Sequence, residues 1–219
     1  MLVRNATVHT GDGRTIDEGA VGFRDGRIDY VGYAYGVKAT YDTVIDAPGR
    51  QVYPGFILPD NTLGLQEIEY LRHANDFDET GDLTPETRTL TSFKIDSRVI
   101  PTVRSNGVLI EQAVPRNGTI AGRSAIMRLD GWDWEDATVV ADDGLHMNWP
   151  RAFTRTGWWA EPGETTKDKD AERAKKLDAI TRFFQEAKAY NEAGAHADMD
   201  LRMEAMRGLF TGAMTLFVN

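Results

Sequence analysis

Residues 52–69 read VYPGFILPDNTLGLQEIE, and this stretch decides the class of fold. The apolar run over residues 51–58, broken only by Pro54-Gly55, is typical of a strand buried on both faces, as in a parallel sheet. Three polar residues follow the run directly: Asp60, Asn61 and Thr62. Because Pro-Asp-Asn is also strong turn chemistry, these residues form either a functional site at the strand end or a simple turn.

The residues that precede this stretch have the pattern of short β-strands. Asp25-Gly26 separates alternating runs over residues 20–24 and 27–32, and this predicts a β-hairpin because a type I′ turn needs φ > 0 at both positions. Two further strands are predicted, over residues 2–10 and 43–46. We therefore expect residues 1–50 to form a small sheet or a β-sandwich module.

Downstream of residue 58, apolar runs alternate with helical patterns. Residues 65–74 have the composition of a short helix, and residues 98–114 hold two apolar runs around an Asn-Gly turn. Residues 116–131 carry Gly118, Gly122 and Gly131, which predicts an irregular, glycine-rich segment. All five tryptophans fall in residues 132–159. Together these features predict a Gly/Trp-rich insertion at about residues 115–165.

Two helices and a strand are predicted for the last fifty residues. An apolar stripe at spacings of three and four defines the first helix: Ala171, Ala174, Leu177, Ile180, Phe184 and Ala187. Gly194 is predicted to end it, Asp198 to cap the next helix, and Gly212 to end that one. Residues 213–218 then form a buried type of strand. Strands that alternate with helices favour an α/β unit with parallel strands.

Composition excludes several classes of function. The chain has 219 residues, a net charge of −9 and no cysteine. A net negative charge argues against nucleic acid as a partner, because phosphate binding needs clustered Lys and Arg. The lack of cysteine excludes disulfides and thiol nucleophiles, and it fits a reducing cytoplasm. The longest apolar runs fall short of the roughly 20 residues that span a bilayer, so no membrane association is expected. A processed secretory leader is compatible with the same sequence.

Several separated blocks resemble one known family. The blocks are GAVGFRDGRIDYVG (residues 19–32), VIDAPGRQVYPGFI (44–57), VRSNGVLIEQAV (103–114) and DDGLHMNWP (142–150). They resemble the amidohydrolase superfamily, in its imidazolonepropionase-like branch, and the similarity covers the N-terminal half of such proteins. The resemblance implies a β-sandwich portion beside a (β/α)₈ TIM-like barrel, with the site at the carboxyl ends of the strands. It also implies hydrolysis of C–N bonds with a divalent metal.

The residues at the family's metal positions differ in this chain. Asp60 and Thr62 stand where the His-x-His pair is expected, and Asn219 stands where a later strand commonly ends in a metal-binding His. Zinc prefers imidazole and thiolate ligands, so we predict no metal-ligating residue and leave the cofactor unknown. Asp60 is the candidate catalytic residue, as a general base or a ligand to a hard cation. Asn61, Thr62 and Asn219 are candidate substrate-binding residues.

His146 and the tryptophans offer further candidates. His146 lies beside Asp142 and Asp143, and this combination could bind a metal. We expect His146 to be a packed or capping residue instead. The tryptophans could line a ligand site, although tryptophan is also enriched at interfaces because it supplies a large area and one polar group. We expect them to serve packing or an interface.

Three functions remain open from the sequence. The first is an amidohydrolase-like hydrolase of an amide or cyclic imide, active only with the rest of the barrel. The second is a catalytically inactive homologue that acts as a binding or scaffold subunit, and the third is a binding module built on the tryptophan-rich segment. Part of a barrel leaves strand edges unpaired, and uncovered edges aggregate. We therefore expect a second chain that completes the barrel or a homo-oligomer, unless the chain is a fragment of a longer protein.

Overall fold

The computed structural model of the protein describes residues 1–68, 70–151, 166–194 and 198–219. The chain divides into two compact units, Met1–Gly55 and Phe56–Asn219. Each unit contains one five-stranded sheet, and the second unit also contains all of the α-helices. The fold is therefore mixed α/β, as the sequence predicted. Two of the five tryptophans, Trp158 and Trp159, lie outside the described residues.

The first unit is a sheet with the strand order β3-β2-β1-β4, in which β5 also pairs with β1. Its strands are β1 (Leu2–His9), β2 (Thr15–Arg24), β3 (Arg27–Tyr33), β4 (Val44–Asp46) and β5 (Gln51–Val52). The predicted hairpin joins β2 and β3, with φ of 50° at Asp25 and 72° at Gly26. These two positive angles are those of a type I′ turn, whose twist matches that of the flanking strands. The hairpin prediction is confirmed.

The second unit is a sheet with the strand order β10-β9-β8-β7-β6. Its strands are β6 (Phe56–Asn61), β7 (Val108–Ala113), β8 (Ile120–Arg128), β9 (Thr138–Met147) and β10 (Thr215–Val218). β6 pairs with β7 in parallel, β8 is antiparallel to both β7 and β9, and β10 is parallel to β9. Four of the five strands therefore run in one direction, and their carboxyl ends meet at one edge of the sheet.

Helices cover this sheet over two clusters of buried side chains. The helices are α1 (Thr89–Ser92), α2 (Ile100–Ser105), α3 (Trp134–Ala137), α4 (Thr166–Ala193), α5 (Leu201–Ala205) and α6 (Arg207–Thr211). Residues of α1 and α2 pack on β7 and β8, and residues of α4 pack on β8 and β9. None of the helices in the described residues is both long enough and apolar enough to cross a membrane.

Helix α4 follows the predicted stripe with one change of phase. Ile180 and Ala187 are buried as expected, and Gly194 follows the end of the helix with a φ of 82°. Phe183 is more deeply buried than Phe184, which packs at the border of the same cluster. The apolar face is therefore centred one residue earlier than the spacing alone indicated.

The predicted helix over residues 65–74 is wrong. Gln66 and Asn75 form an antiparallel bridge, and the Glu67 amide donates to the Ala74 carbonyl at 3.0 Å. In a helix, these backbone amide and carbonyl groups would pair with residues four positions away. Here they pair across a turn instead. Only a 3₁₀ turn over Arg72–Ala74 remains, and Leu65 is buried beneath the α1 and α2 side chains.

The predicted irregular segment over residues 116–131 is also wrong, because β8 occupies most of it. Of the three glycines, Gly122 lies within the strand. Gly122 has a φ of 124°, and a Cβ atom there would lie 2.8 Å from the Thr87 carbonyl oxygen. It stands beside a register shift in the pairing with β9, so glycine permits a bulge in a continuing strand.

Two predicted boundaries shift. The apolar run over residues 51–58 divides between β5 and β6, because Pro54 and Gly55 interrupt the pairing at the border of the two units. The prediction of a strand buried on both faces is wrong, because β6 is an outer strand of its sheet and its side chains Phe56 and Ile57 are exposed. Asp200, not Asp198, caps α5, and its carboxylate accepts from the Arg202 amide at 2.9 Å. Gly212 ends α6 with a φ of 73°, as predicted.

The pairing of β9 with β10 depends on a close approach at Gly144. A Cβ atom there would lie 2.3 Å from the Phe217 ring and 2.9 Å from the Thr215 carbonyl oxygen. The backbone on one side and a rigid ring on the other leave no room for a methyl group. Phe217 in turn stacks on His146 of β9.

We expect G144A to lower the free energy of unfolding by about 1–3 kcal/mol, because the added methyl overpacks this contact. Chemical denaturation of the purified protein measures the change. V139A, at an exposed position of the same strand, is the control and should stay within about 0.5 kcal/mol of the parent. A G144A variant as stable as V139A would contradict the assigned contact.

Candidate functional site at the carboxyl edge of the second sheet

The parallel strands bring the ends of β6, β7 and β9 to one edge of the sheet. Asn61 pairs with Ala113, and Ala113 pairs with Ala125 of the intervening strand β8. β8 runs in the opposite direction, so it enters the sheet at this edge near Gly122, which pairs with His146. Polar side chains from four consecutive strand ends can therefore interact here, although they are far apart in sequence.

Asp60, at the end of the outer strand β6, is the residue to which the other polar side chains of this edge connect. Its φ is 49°, a left-handed conformation that is uncommon for a residue other than glycine. The Arg116 guanidinium donates from Nη1 to Oδ1 of Asp60 at 2.7 Å and from Nη2 to the Asp60 carbonyl oxygen at 2.6 Å. The Asp60 side chain is 54% exposed, so this ion pair is accessible from solvent. One arginine thus holds both the main chain and the carboxylate of the candidate catalytic residue.

Gln112 holds the other side of the same residue. Its Oε1 accepts from the Asp60 amide at 3.2 Å, and its Nε2 donates to Oδ2 of Asp143 at 2.7 Å. Gln112 is buried, and β8 lies between its strand and that of Asp143. Asp143, Gln112, Asp60 and Arg116 therefore form one connected network across β9, β7 and β6.

Asn61 and Thr62 lie next to Asp60, but their side chains have local partners. The Asn61 amide donates to the Leu58 and Gln112 carbonyls at 3.1 and 3.3 Å, and its oxygen accepts from the Leu63 amide at 2.7 Å. These bonds fix the turn after β6. The Thr62 hydroxyl donates to Gln66 Oε1 at 3.3 Å.

Thr62 also lines an open cavity of about 480 Å³. The cavity is bounded by Thr62, Leu63, Gln66, Glu67 and Val99. It lies along the turn after β6 and the start of α2, whereas the Asp60 network extends from β6 toward β7 and β9. The structure therefore gives Thr62 a different neighbourhood from that of the Asp60 carboxylate.

Asn219 lies at the other end of the strand order, after β10. Its amide donates to the Met147 carbonyl at 2.9 Å, and its carbonyl accepts from the Trp149 amide at 2.9 Å. Its main chain therefore continues the parallel ladder with β9. Asn219 shares the carboxyl edge with Asp60, but the contacts that fix it are those with the end of β9.

His146 is packed, as expected, rather than grouped with both neighbouring carboxylates. Its ring is 2% exposed and stacks on Phe217 with centroids 4.7 Å apart. Burial lowers the pKa of His146 to about 4, the charges of Asp60 and Asp143 oppose this shift, and Arg116 adds to it. Neither ring nitrogen has a hydrogen-bond partner among the described residues. The ring is therefore neutral near pH 7, and it lies within electrostatic range of the Asp60 network.

Asp142 belongs to a separate ion-pair cluster. It accepts from Arg88 Nε at 2.8 Å and from Arg123 Nη1 at 3.2 Å. Arg123 also donates to the Glu86 carbonyl at 3.2 Å, and partial burial lowers its pKa. These contacts join the segment before α1 to β8 and β9, which indicates a structural role for Asp142.

Glu111 is the most unusual titratable residue of the second unit. It is fully buried on β7, opposite Leu58 of β6 and Met127 of β8. Burial raises the pKa of Glu111 to about 8, and the neighbouring Asn61 amide partly offsets this shift. Neither carboxyl oxygen has a hydrogen bond of normal geometry within the described residues. Glu111 is therefore protonated near pH 7.

The residues of this edge do not fit the divalent metal that the family resemblance implies. The described residues contain no group of three His, Cys, Asp or Glu side chains that could hold a metal ion. Asp60 is bound by Arg116, and Asn61 is bound by main-chain groups. Oδ1 of Asp60 and the Asn61 side chain therefore already have other partners.

Three residues of this edge were missed by the sequence interpretation: Glu111, Gln112 and Arg116. The signal for two of them was present, because Glu111-Gln112 interrupts the apolar run GVLIEQAV. Charged and amide side chains inside a buried strand need partners or a special environment. Arg116 lies in a polar stretch, where nothing in the sequence distinguishes it from a surface residue. The sequence indicates Asp143 only as a possible metal ligand with His146, and it does not predict the contact with Gln112.

Comparison with known proteins supports the fold. No family model matches the chain, and no curated protein sequence does. Among solved structures, the chain is similar to the crystal structure of an amidohydrolase from Thermotoga maritima MSB8, with 22% sequence identity and a TM-score of 0.81. The alignment covers 99% of this chain and 57% of that chain. The fold is thus that of the corresponding part of an amidohydrolase, and the imidazolonepropionase-like branch stays a prediction.

We expect Glu111 to make stability fall as pH rises. In the unfolded chain the carboxyl ionises near its ordinary pKa of 4.5, while the folded state keeps the proton up to about pH 8. Between these values the folded state binds more protons, so the free energy of unfolding falls, by on the order of 3–5 kcal/mol in total. Denaturation curves from pH 5 to 9 measure this slope. E111Q should remove it and the exposed E135Q should keep it; an unchanged slope in E111Q would refute the assignment.

His146 is expected to have the opposite effect at lower pH. Its folded pKa of about 4 lies below the ordinary value of 6.5, so the unfolded chain binds the extra proton between these values. Stability is fully present above pH 6.5 and is lost as pH falls toward 4, by on the order of 3 kcal/mol. H146F keeps an aromatic ring against Phe217 and should abolish this loss, whereas H73Q, at an exposed histidine, should not. A loss of equal size in H146F would count against the prediction.

Proposed function

We propose that the protein is an amidohydrolase-like hydrolase that acts on non-peptide C–N bonds, with the Asp60–Arg116 pair at the centre of its site. The observation that carries the proposal is the position of Asp60. It lies at the carboxyl end of the first strand of a sheet whose fold matches an amidohydrolase over 99% of the chain. Sites on α/β folds of this type are built at the carboxyl ends of strands.

The chemistry that this edge supports is addition of water to an amide or cyclic imide carbonyl. The Asp60 carboxylate accepts a proton from the water while the water oxygen bonds to the carbonyl carbon. The proton then passes to the leaving nitrogen, the C–N bond breaks, and a carboxylic acid and an amine or amide result. Arg116 occupies Oδ1, so Oδ2 is the oxygen that takes the proton. Arg116 also offers positive charge toward the developing oxyanion.

We propose that the second unit is part of a complete barrel of the imidazolonepropionase-like kind. The chain spans 57% of the length of the similar amidohydrolase, so a complete barrel needs further strands. β6 and β10 are the outer strands of the sheet, and Phe56 and Ile57 on β6 are 62% and 64% exposed. Unpaired edges with exposed apolar residues pair readily with other strands. We propose that a second chain or a second copy provides them, and that the assembly works in the cytoplasm.

A second candidate function has a specific observation in its favour. Arg116 binds both the carboxylate and the carbonyl of Asp60, so one oxygen of the proposed base already has a hydrogen-bond partner. The same arrangement suits a catalytically inactive homologue that binds a ligand or supports an active subunit. The two candidates differ in turnover and agree on the location of the site.

Hydrolysis assays on the assembled protein test the proposal, with a panel of amides and cyclic imides as substrates. If Asp60 is the general base, D60N should lower kcat/KM by about 10²–10⁴-fold, because the amide cannot accept the proton. D130N, at an exposed aspartate paired with Arg104, is the control and should retain full activity.

Two outcomes would decide against hydrolysis at Asp60. Turnover in D60N equal to that of D130N would remove Asp60 from the reaction. Absence of turnover in the unsubstituted assembly, together with binding of a substrate of the panel, would favour the inactive homologue.

A further inference from the structure

We propose that Asp143 and Gln112 are positioning residues, and that the Asp143 carboxylate fixes the orientation of the Gln112 amide so that its oxygen holds the Asp60 amide in place. The inference rests on the proposed site at Asp60. It applies whether that site catalyses hydrolysis or only binds a ligand, because both require a fixed Asp60–Arg116 pair.

The direction of each hydrogen bond in the network fixes the orientation of the Gln112 amide. A carboxylate can only accept hydrogen bonds, so the end of Gln112 that faces Asp143 has to be the Nε2 donor. That contact is 2.7 Å long, and it leaves Oε1 on the opposite side, 3.2 Å from the Asp60 nitrogen. A main-chain amide can only donate. The two outer groups therefore select the same orientation of the central amide.

This orientation of the Gln112 amide maintains the left-handed backbone conformation of Asp60. Asp60 has a φ of 49°, and left-handed backbone costs a non-glycine residue about 1 kcal/mol or more. Such a conformation persists only where surrounding contacts determine it. Gln112 binds the amide of Asp60, and Arg116 binds its carbonyl and its carboxylate. Both polar groups of this one residue are thus held by side chains 52 and 56 positions away.

The opposite orientation of the Gln112 amide would mismatch both of its hydrogen bonds. If Gln112 turned its amide over, Nε2 would face the Asp60 N–H and Oε1 would face the Asp143 carboxylate. Two donors would meet on one side and two acceptors on the other, in a place where Gln112 is buried and water cannot supply the missing partners. Asp60 would lose the contact that holds its amide, and its carboxylate would no longer be fixed against Arg116.

The network therefore links β9 to β6 across the face of β8. Asp143 lies three residues before His146, at the same edge of the sheet. A change at Asp143 should be felt at Asp60 although the two residues belong to strands that do not pair. This prediction distinguishes a positioning role from local packing, because a packing residue would affect only its own neighbours.

The test exchanges the polarity of the network in two positions. D143N keeps the shape of the side chain but adds a donor, so the Gln112 amide can adopt either orientation. Q112E places a carboxylate against the Asp143 carboxylate. The double variant Q112E/D143N restores a consistent set, because the acid at position 112 accepts from both the Asp60 amide and the new amide at position 143. Q185E, a substitution of the same type at an exposed position of α4, is the control.

The readout is the nuclear magnetic resonance signal of the Asp60 amide in isotopically labelled protein, with its coupling constant to Hα as a measure of φ. We expect one sharp signal in the parent and in Q185E, two signals or a broadened one in D143N, a displaced signal in Q112E, and recovery of a single signal in Q112E/D143N. Substrate turnover or binding should follow the same order, with a loss of up to about 100-fold in D143N.

Two results would overturn the proposal. One is an Asp60 signal in D143N that matches the parent, and the other is a double variant whose Asp60 signal is no closer to the parent than that of Q112E. The signal reports the conformation of Asp60 without any reaction, so it also separates this inference from the proposed function. A protein that shows the expected signals but never hydrolyses the panel retains the positioning network and loses only the hydrolase assignment.

Discussion

The carboxyl edge of the second sheet depends on the hydrogen bonds that Arg116 and Gln112 make to Asp60. Asp60 closes β6 in a left-handed conformation, and the chain then turns into a loop fixed by the Asn61 side chain. Without partners for its amide and carbonyl, this residue would relax toward an extended conformation, and its carboxylate would leave the edge. Parallel alignment of β6 with β7 brings the required partners within reach, so the sheet and the site are parts of one arrangement.

The same edge tolerates two buried groups that a core normally excludes. Glu111 and His146 are each almost inaccessible to water, and within the described residues neither makes a hydrogen bond of normal geometry. Burial keeps both neutral near pH 7, by raising the pKa of the acid and lowering that of the base. Unpaired polar groups cost stability, on the order of 1–3 kcal/mol each. Their presence near a candidate site fits the general tendency of functional regions to retain groups that packing alone would remove.

Much of the fold could be predicted from residues close together in the sequence. Asp25-Gly26 defines a hairpin because its two residues accept positive φ, and Gly212 ends a helix for the same reason. The predictions failed where pairing with another segment of the chain competed with a local conformational preference. Gln66 forms an antiparallel bridge with Asn75, so residues 65–74 do not form a helix. Gly122 allows a bulge in β8, so the strand continues through it. In each case hydrogen bonds across the chain replaced those that the local pattern favoured.

The sequence by itself determined that Asp60, Asn61 and Thr62 follow directly on an apolar strand, because those residues are adjacent and their chemistry can be read directly. It also determined the α/β class through the alternation of apolar patterns. Only the tertiary structure decided which of these side chains are available and what holds them. Gln112, Arg116 and Asp143 reach the edge from other strands and loops, and their roles depend on register, burial and the direction of each hydrogen bond. Those quantities exist only once the strands have paired, so no local pattern could supply them.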